Sequence, residues 1–362
     1  MPEATPSGFA SPISGSAVDR VVVIGAGSWG TAVAMIASTN APTTLWARRA
    51  DLAAAIEAHH ENAAYLPGVA LPPQLRATDD LLSAVERADV VVMGVPSHGF
   101  RTVLAEARSA IAPHAALVSL SKGVEQGSLL RMSEVIADVV TGHDLARIGV
   151  LTGPNLAKEI AAGQPAASVI ALPDPEVAAR LQQIFLTPAF RVYTNPDVVG
   201  CEIAGALKNV IALGVGMAHG LGFGDNAKAA LITRGLAELA RLGVTLGGDP
   251  LTFAGLAGMG DLIATCSSPQ SRNRSVGVAL GEGRSLNDIV SEMNMVAEGV
   301  KSTAAVLELA ARHGVDMPVA EFVGRVLYEG AKPAEHVGEL MGRSAKAELH
   351  GMRDSRPPRT PR

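Results

Sequence analysis

Short apolar runs alternate with amphipathic stretches through the first half of the chain. Runs of apolar and β-branched residues, several of them apolar on both faces of an extended backbone, occupy residues 21–24, 43–46, 90–93, 117–120, 148–151, 168–171 and 190–193. Apolar residues at helical spacing fill the intervening stretches, among them 29–38, 81–87 and 129–139. Strands that are buried on both faces and separated by helices are typical of a parallel sheet covered by helices. The first half is therefore predicted to be α/β, with a mostly parallel sheet.

The second half carries a helical pattern. After residues 195–197, apolar residues recur at helical spacing over 198–221, 227–242, 300–311 and 319–327, and no run has a convincing strand pattern. An all-helical C-terminal domain that begins near residue 197 is therefore predicted.

Both ends of the chain differ from this pattern. Residues 1–18 are rich in Pro, Ser, Gly and Ala, which predicts a flexible segment. Residues 343–362 hold six basic residues, two acidic residues and three prolines, without periodicity or aromatic residues. This composition favours a flexible, solvated basic tail over a nucleic-acid-binding arm.

Composition narrows the class of protein. The 362 residues are 48% apolar and 3% aromatic and carry a net charge of −5, which argues against a disordered chain and a nucleic-acid binder. The first nineteen residues contain no Lys or Arg and no long apolar run, so no secretory signal is expected. Two cysteines without metal-ligand spacing predict neither a disulfide framework nor a metal site. We expect a cytoplasmic protein without stable membrane insertion.

A glycine-rich turn follows the first predicted strand. Gly25, Gly27 and Gly30 stand between that strand and a predicted helix. In this arrangement the first glycine makes the turn, the second admits a diphosphate to the backbone, and the third lets helix and strand approach closely. The helix N-terminus then faces the anion. This context predicts a Rossmann-type dinucleotide-binding site rather than an ordinary turn.

Two arginines follow the second predicted strand, where an NAD-selective site usually carries an acidic residue. Guanidinium groups at Arg48 and Arg49 suit a 2′-phosphate, which favours NADPH over NADH. The alternative is a pair of solvated arginines at the end of a strand. His98, in the turn after residues 90–93, is predicted to be a hydrogen-bonding or surface residue rather than a catalytic one.

Three polar clusters lie in apolar or glycine-rich surroundings: Ser121-Lys122-Gly123, Lys208-Asn209, and Asp261 with Ser271-Arg272-Asn273. By spacing alone, Lys122 could be a solvated loop residue, Lys208 a snorkelling side chain, and Asp261 or Ser271 a helix cap. The apolar neighbours of Lys208 nevertheless favour a lowered pKa and a role in proton transfer. Three adjacent donors at 271–273 suit a phosphate monoester.

Eight sequence blocks together resemble the bacterial NAD(P)-dependent glycerol-3-phosphate dehydrogenases. They are GAGSWGTA (25–32), NAAYLPG (62–68), SLSKG (119–123), GPNLAKEI (153–160), ALKNVIALGVGM (206–217), GLAGMGDLIATC (255–266), SRN (271–273) and VAEG (296–299). The resemblance implies the reversible reduction of dihydroxyacetone phosphate to sn-glycerol 3-phosphate, a backbone for glycerophospholipids, by a cytoplasmic homodimer that uses NADPH in preference to NADH.

The resemblance also implies roles for individual residues. Lys208 is the general acid/base, with Lys122 and Asp261 orienting the substrate. The other implied substrate contacts are Gly153, Asn155, Ser271, Arg272 and Asn273. The implied cofactor contacts, beyond Gly25, Gly27 and Gly30, are Ser28, Trp29, Arg48, Arg49, Lys122, Ala157, Arg272, Val296 and Glu298. Asn155 departs from the family, in which many members carry Ser or Thr at this position.

We therefore predict a dinucleotide-binding domain at 19–196 and a helical substrate-binding domain at 197–342, between the two flexible ends. Two other interpretations remain. A related dehydrogenase acting on a β-hydroxyacid is disfavoured by the Ser-Arg-Asn run after Asp261. A non-catalytic NADPH-binding regulator is disfavoured by the retention of Lys122, Lys208 and Asp261.

Overall fold

The computed structural model describes residues 19–293 and 297–335. The predicted flexible ends, 1–18 and 343–362, and the end of the predicted helical domain lie outside these residues.

Strands and helices alternate through the first part of the chain. They are β1 Val21–Ile24, α1 Ser28–Ala37, β2 Thr43–Trp46, α2 Ala50–His59, β3 Arg76–Thr78, α3 Leu81–Val85, β4 Val90–Met93, α4 Ser97–Ala107, β5 Ala116–Ser119, α5 Met132–Val139, β6 Ile148–Thr152, α6 Ala157–Ala161, β7 Ala166–Ala171, α7 Pro175–Phe185 and β8 Phe190–Asn195. The predicted runs correspond to seven of these eight strands, and the strand missing from the prediction is β3.

The eight strands form one sheet in the order β3-β2-β1-β4-β5-β6-β7-β8. Every neighbouring pair is parallel except β6 and β7, which are antiparallel. Two apolar clusters cover the faces of this sheet, since alternate residues of β1, such as Val23 and Ile24, contribute to different clusters. The strand order reverses between β1 and β4, and a crevice outside the carboxyl ends of the strands at such a point is where ligands bind in open α/β sheets.

Helices make up the rest of the described chain. They are α8 Val198–Gly220, α9 Asp225–Thr245, α10 Pro250–Ala254, a π-helical turn Leu256–Gly260, α11 Asp261–Ser267, α12 Arg272–Gly281, α13 Leu286–Ser291, α14 Glu298–Arg312 and α15 Pro318–Tyr328. The fold class is confirmed: a Rossmann-type, mostly parallel sheet followed by helices. The division at residues 196 and 197 stays a prediction.

Helix α8 lies at the centre of the helical part. Its start is fixed by Asp197, whose carboxylate accepts a hydrogen bond from the amide of Gly200 at 2.8 Å. Among the described residues, this is the one helix long and apolar enough to cross a bilayer, yet 94% of its most apolar window is buried inside the protein. The apolar residues of α8 therefore pack against neighbouring helices.

Helices α8 and α12 approach each other closely through glycines. A β-carbon at Gly216 would collide with the carbonyl of Arg274, and one at Gly220 would collide with the carbonyl of Val278. On the opposing helix, a β-carbon at Gly277 would collide with the carbonyl of Leu213. The two backbones are therefore in direct contact, with no side chain between them.

Candidate active site

The glycine-rich turn forms a tight cradle at the carboxyl end of β1. Gly25 has a φ of +118°, and a β-carbon there would lie 2.8 Å from the carbonyl oxygen of Gly94. At Gly30, a β-carbon would collide with the carbonyl oxygen of Gly25. A β-carbon at Gly27, in contrast, would meet no atom of residues 19–293 or 297–335 within 4 Å. The backbone is thus closed on two sides and open at Gly27, where a diphosphate needs access.

The loop that contains Asn62 and Tyr65 supports this turn. Asn62 is fully buried, and its amide nitrogen donates to the carbonyl of Ala26 at 2.9 Å and to the hydroxyl of Thr31 at 2.8 Å. The hydroxyl of Ser28 donates to the carbonyl of Tyr65 at 2.7 Å. The block NAAYLPG was recognised as part of the family pattern, but no role followed from it.

Trp29 leaves a polar atom for a ligand. Its indole nitrogen is buried and has no hydrogen-bond partner among the described residues, and its ring lies 6.3 Å from that of Phe190. Helix α6, which begins at Ala157, packs against α1. A buried, unpartnered donor beside an open glycine cradle fits a dinucleotide cofactor.

Arg48 and Arg49 follow β2 and are exposed, and Arg49 lies 3.8 Å from the carboxylate of Asp51. His98 lies in the first turn of α4. Partial burial, together with the charge of Lys301, lowers the pKa of His98 below its usual value. His98 is exposed and takes no part in the lysine cluster described next.

A buried carboxylate joins the two candidate lysines. Asp261 is 1% exposed; its Oδ1 accepts from Lys208 Nζ at 2.5 Å, and its Oδ2 accepts from Lys122 Nζ at 2.8 Å. Lys122 also donates to the carbonyl of Gly153 at 2.9 Å. The loop after β5, helix α8 and helix α11 therefore bring these three side chains together at one site.

Asp261 does not cap a helix. Gly260 occupies the N-cap position of α11, and Asp261 is the first residue of that helix. A π-helical turn, Leu256–Gly260, directly precedes α11, and such turns occur frequently at functional sites. The alternative interpretation of Asp261 as a cap is therefore wrong.

The environment of Lys208 lowers the pKa of its ammonium group. Burial lowers its pKa to about 8, the charge of Lys122 acts in the same direction, and the carboxylate of Asp261 opposes both. Lys208 also donates to the hydroxyl of Thr265 at 2.8 Å, and Thr265 in turn donates to the backbone carbonyl of Asp261 at 2.6 Å. Sequence reasoning missed Thr265, although it lies one helical turn after Asp261 and so shares its face.

A chain of amides ties this site to α14. Asn273 donates to the side-chain oxygen of Asn209 at 2.8 Å, and it accepts from the amide of Gly299 at 2.9 Å. Asn209 donates to the carbonyl of Lys122 at 3.3 Å. Asn273 is buried, and these bonds leave one of its two amide hydrogens for another partner.

Helix α12 presents its N-terminus beside these residues. Ser271 is the N-cap, and its hydroxyl oxygen accepts from the amide of Arg274 at 3.3 Å. Arg272, the first residue of the helix, is exposed. A helix N-terminus with an adjacent guanidinium forms an anion site. The cap alternative for Ser271 is thus confirmed, and it is compatible with binding an anion.

Helix α14 begins at Glu298 and faces the same region. Burial raises the pKa of Glu298, while the positive charges of Arg272, Lys208 and Lys122 oppose that rise. Val296 lies outside the described residues. Glu298 therefore lies near Arg272, Lys208 and Lys122.

Asn155 lies in the loop that follows β6. Its amide nitrogen donates to the hydroxyl of Ser168 at 3.2 Å, whereas its side-chain oxygen is buried and has no partner within the described part of the chain. A buried acceptor left unpaired is costly unless a ligand or water supplies a donor. Within residues 19–293 and 297–335, no group of three His, Cys, Asp or Glu side chains could hold a metal ion.

The chain is similar to known proteins in both sequence and structure. The sequence matches two family models, described as the NAD-dependent glycerol-3-phosphate dehydrogenase N-terminus, over residues 20–178, and C-terminus, over residues 197–338. Glycerol-3-phosphate dehydrogenase [NAD(P)+] 2 of Sphingopyxis alaskensis is 58% identical over 84% of this chain and 90% of its own length. The Streptomyces coelicolor enzyme is 57% identical over 91% and 98% of the two chains. The crystal structure of glycerol-3-phosphate dehydrogenase from Coxiella burnetii, 36% identical, superposes with a TM-score of 0.85 and covers 90% and 99% of the two chains.

Proposed function

The chain belongs to the NAD-dependent glycerol-3-phosphate dehydrogenase family, and we propose that it catalyses the reversible, NAD(P)H-dependent reduction of dihydroxyacetone phosphate to sn-glycerol 3-phosphate. The single observation that carries this proposal is the buried carboxylate of Asp261, which joins Lys208 and Lys122 beside the N-terminus of α12. This arrangement combines a proton donor with an anion site. A phosphorylated ketone requires both.

Hydrogen-bond counting supports the role of Lys208. An ammonium group has three N–H donors. Lys208 uses one on Asp261 and one on Thr265, which leaves one for the ketone oxygen. Lys122 uses one on Asp261 and one on Gly153, and it also retains one. The two remaining donors would polarise the same substrate oxygen.

Lys208 then transfers the proton. A bound nicotinamide supplies the hydride to the carbonyl carbon in reduction and accepts it in oxidation. Lys208 donates a proton to the oxygen during reduction, and it accepts the hydroxyl proton in the reverse direction. A pKa of about 8 suits both directions, because ammonium and amine are both populated near neutrality. Asp261 holds the ammonium in position.

The substrate phosphate is assigned to the N-terminus of α12. Arg272 supplies a guanidinium, Ser271 a hydroxyl, and Asn273 its remaining amide hydrogen. Gly153 and Asn155 line the glycerol part, where the unpaired side-chain oxygen of Asn155 can accept from a substrate hydroxyl. Asn155 thus provides an acceptor as well as a donor to this part of the site.

The cofactor is assigned to the crevice between β1 and β4. Gly25, Gly27 and Gly30 receive the diphosphate. The remaining contacts come from Ser28, Trp29, Arg48, Arg49, Lys122, Ala157, Arg272, Val296 and Glu298. Arg48 and Arg49 favour NADPH over NADH, since two guanidinium groups stand where an NAD-selective site usually carries an acidic residue.

The wider context follows from the reaction. Residues 19–196 form the cofactor domain and residues 197–342 the substrate domain. The protein acts in the cytoplasm as a homodimer, and its product supplies the backbone of glycerophospholipids.

The test is an absorbance assay of NADPH oxidation by the purified protein. We expect oxidation that depends on dihydroxyacetone phosphate, and NADP⁺ reduction by sn-glycerol 3-phosphate in the reverse assay. Unphosphorylated dihydroxyacetone and a β-hydroxyacid are the controls. Cofactor binding without turnover of any of these substrates would contradict the proposed reaction.

A further inference from the structure

We propose that Asn62 is a positioning residue for the cofactor diphosphate: it fixes the orientation of the Ala26–Gly27 peptide so that the Gly27 amide faces the anion. Asn62 contacts the glycine-rich turn from the buried side. The inference rests on the proposed cofactor use and assigns a function to a residue outside the predicted site.

The peptide geometry carries the argument. The Ala26–Gly27 peptide is trans, so its carbonyl and its N–H point in opposite directions. The carbonyl of Ala26 is held by Asn62 on the buried side. The Gly27 N–H therefore points away from Asn62, and Gly27 is the glycine of the turn with open space around it.

Gly27 itself does not fix the orientation of the Ala26–Gly27 peptide. It is the N-cap of α1, and it has no side chain that could cap the helix or restrict the backbone. If the Ala26–Gly27 peptide rotated, its carbonyl oxygen would face the diphosphate and repel it. A buried amide that holds this carbonyl prevents the rotation.

The Asn62 side chain is itself held in place. Both of its donor hydrogens are used, on Ala26 and on Thr31, and its oxygen accepts from the amide of Tyr65 at 3.2 Å. The carbonyl of Tyr65 is bound by Ser28 at 2.7 Å, which closes the connection back to the turn. Because an Asn side chain has distinct donor and acceptor ends, Asp of the same size cannot replace it.

The experiment measures nucleotide binding by calorimetric titration, without turnover. ADP contains the diphosphate, whereas 2′-AMP lacks it and keeps the adenosine and the 2′-phosphate. In Asn62→Asp and Asn62→Ala, we expect the affinity for ADP to fall at least about tenfold, while the affinity for 2′-AMP is unchanged.

Two controls separate positioning from general stability. Asn40→Asp removes an amide that also donates to two backbone carbonyls, those of Ile184 and Leu186, and we expect a lower melting temperature with unchanged ADP affinity. Thr31→Val removes the other acceptor of Asn62 but leaves Ala26 bound, so ADP affinity should change little.

Several results would overturn the inference. Unchanged ADP affinity in both Asn62 variants is one, and an equal loss for ADP and 2′-AMP is another. A loss in Thr31→Val as large as that in Asn62→Ala would assign the effect to packing. If the unaltered protein bound neither nucleotide, the proposed cofactor use would fail together with the role of Asn62.

Discussion

Lys208 and Asp261 are 53 positions apart in the sequence, yet the lysine Nζ lies 2.5 Å from a carboxylate oxygen of the aspartate. Both side chains are buried, and removal of one partner of a buried ion pair leaves the charge of the other partner buried and uncompensated. Two further hydrogen bonds stabilise this buried ion pair. Lys122 donates to the Asp261 carboxylate, and the hydroxyl of Thr265 accepts from Lys208.

Replacement of the proposed acid/base should remove turnover and spare cofactor binding. For Lys208→Ala we expect kcat to fall by about 10²–10⁴-fold, the usual contribution of a positioned general acid. NADPH affinity, measured by calorimetric titration, should change little. Lys332→Ala, at a lysine that is 78% exposed, is the control and should behave as the unaltered protein. Near-normal kcat in Lys208→Ala would refute the assignment.

The pH dependence should have opposite signs in the two directions. Reduction needs Lys208 as ammonium, so its rate should fall as the pH rises through about 8. Oxidation needs the neutral amine, so its rate should rise over the same range. In Asp261→Asn the stabilising negative charge is lost, and the midpoint in both directions should move to lower pH. Rate profiles at saturating substrate and cofactor test this, and an unmoved midpoint in Asp261→Asn would contradict it.

Arg272 should serve the phosphate of the substrate. A charge-assisted hydrogen bond contributes about 1.5–3 kcal/mol, so Arg272→Ala should lower kcat/KM for dihydroxyacetone phosphate at least about tenfold. The kcat/KM for unphosphorylated dihydroxyacetone, which lacks the phosphate, should be affected much less. Equal losses for the two ketones would show that Arg272 acts on the cofactor or on the fold instead.

The two arginines after β2 should select the cofactor. In the double variant Arg48→Ala and Arg49→Ala, the KM for NADPH should rise about tenfold or more, and the KM for NADH should stay nearly constant. Both side chains are exposed, so added salt should reduce the discrimination of the unaltered protein. If the unaltered protein uses NADH as efficiently as NADPH at low salt, the solvated interpretation of these arginines is correct.

Sequence reasoning was most successful where burial is uniform. The apolar strands β1 and β4 are fully buried, and their positions were predicted residue for residue. Strand β3 was missed because it is only three residues long and partly exposed, so its sequence carries no apolar run. The antiparallel direction of β7 could not be predicted, because hydrophobic periodicity does not distinguish parallel from antiparallel strands.

The sequence indicated the residue types of the candidate site, but only part of the hydrogen-bond network that joins them. Lys208 stood out because an ammonium among apolar neighbours is unusual. The sequence could not indicate that Asp261 holds two lysines at once, because that contact depends on how α11 emerges from the π-helical turn. Asn62 and Thr265 were missed because the hydrogen-bond partner of an amide or hydroxyl group is known only from the folded structure.

The glycine contact between α8 and α12 fixes the distance between two parts of the candidate site. Lys208 lies on one of these helices and Arg272 begins the other, and their backbones touch without intervening side chains. Such a contact has almost no freedom to slide or expand, since any shift opens a void or causes a collision. The separation between Lys208, the proposed proton donor, and the proposed phosphate site at the N-terminus of α12 is therefore fixed by the main chain. A ketone with one carbon more or fewer between its carbonyl and its phosphate would reach only one end of this fixed length.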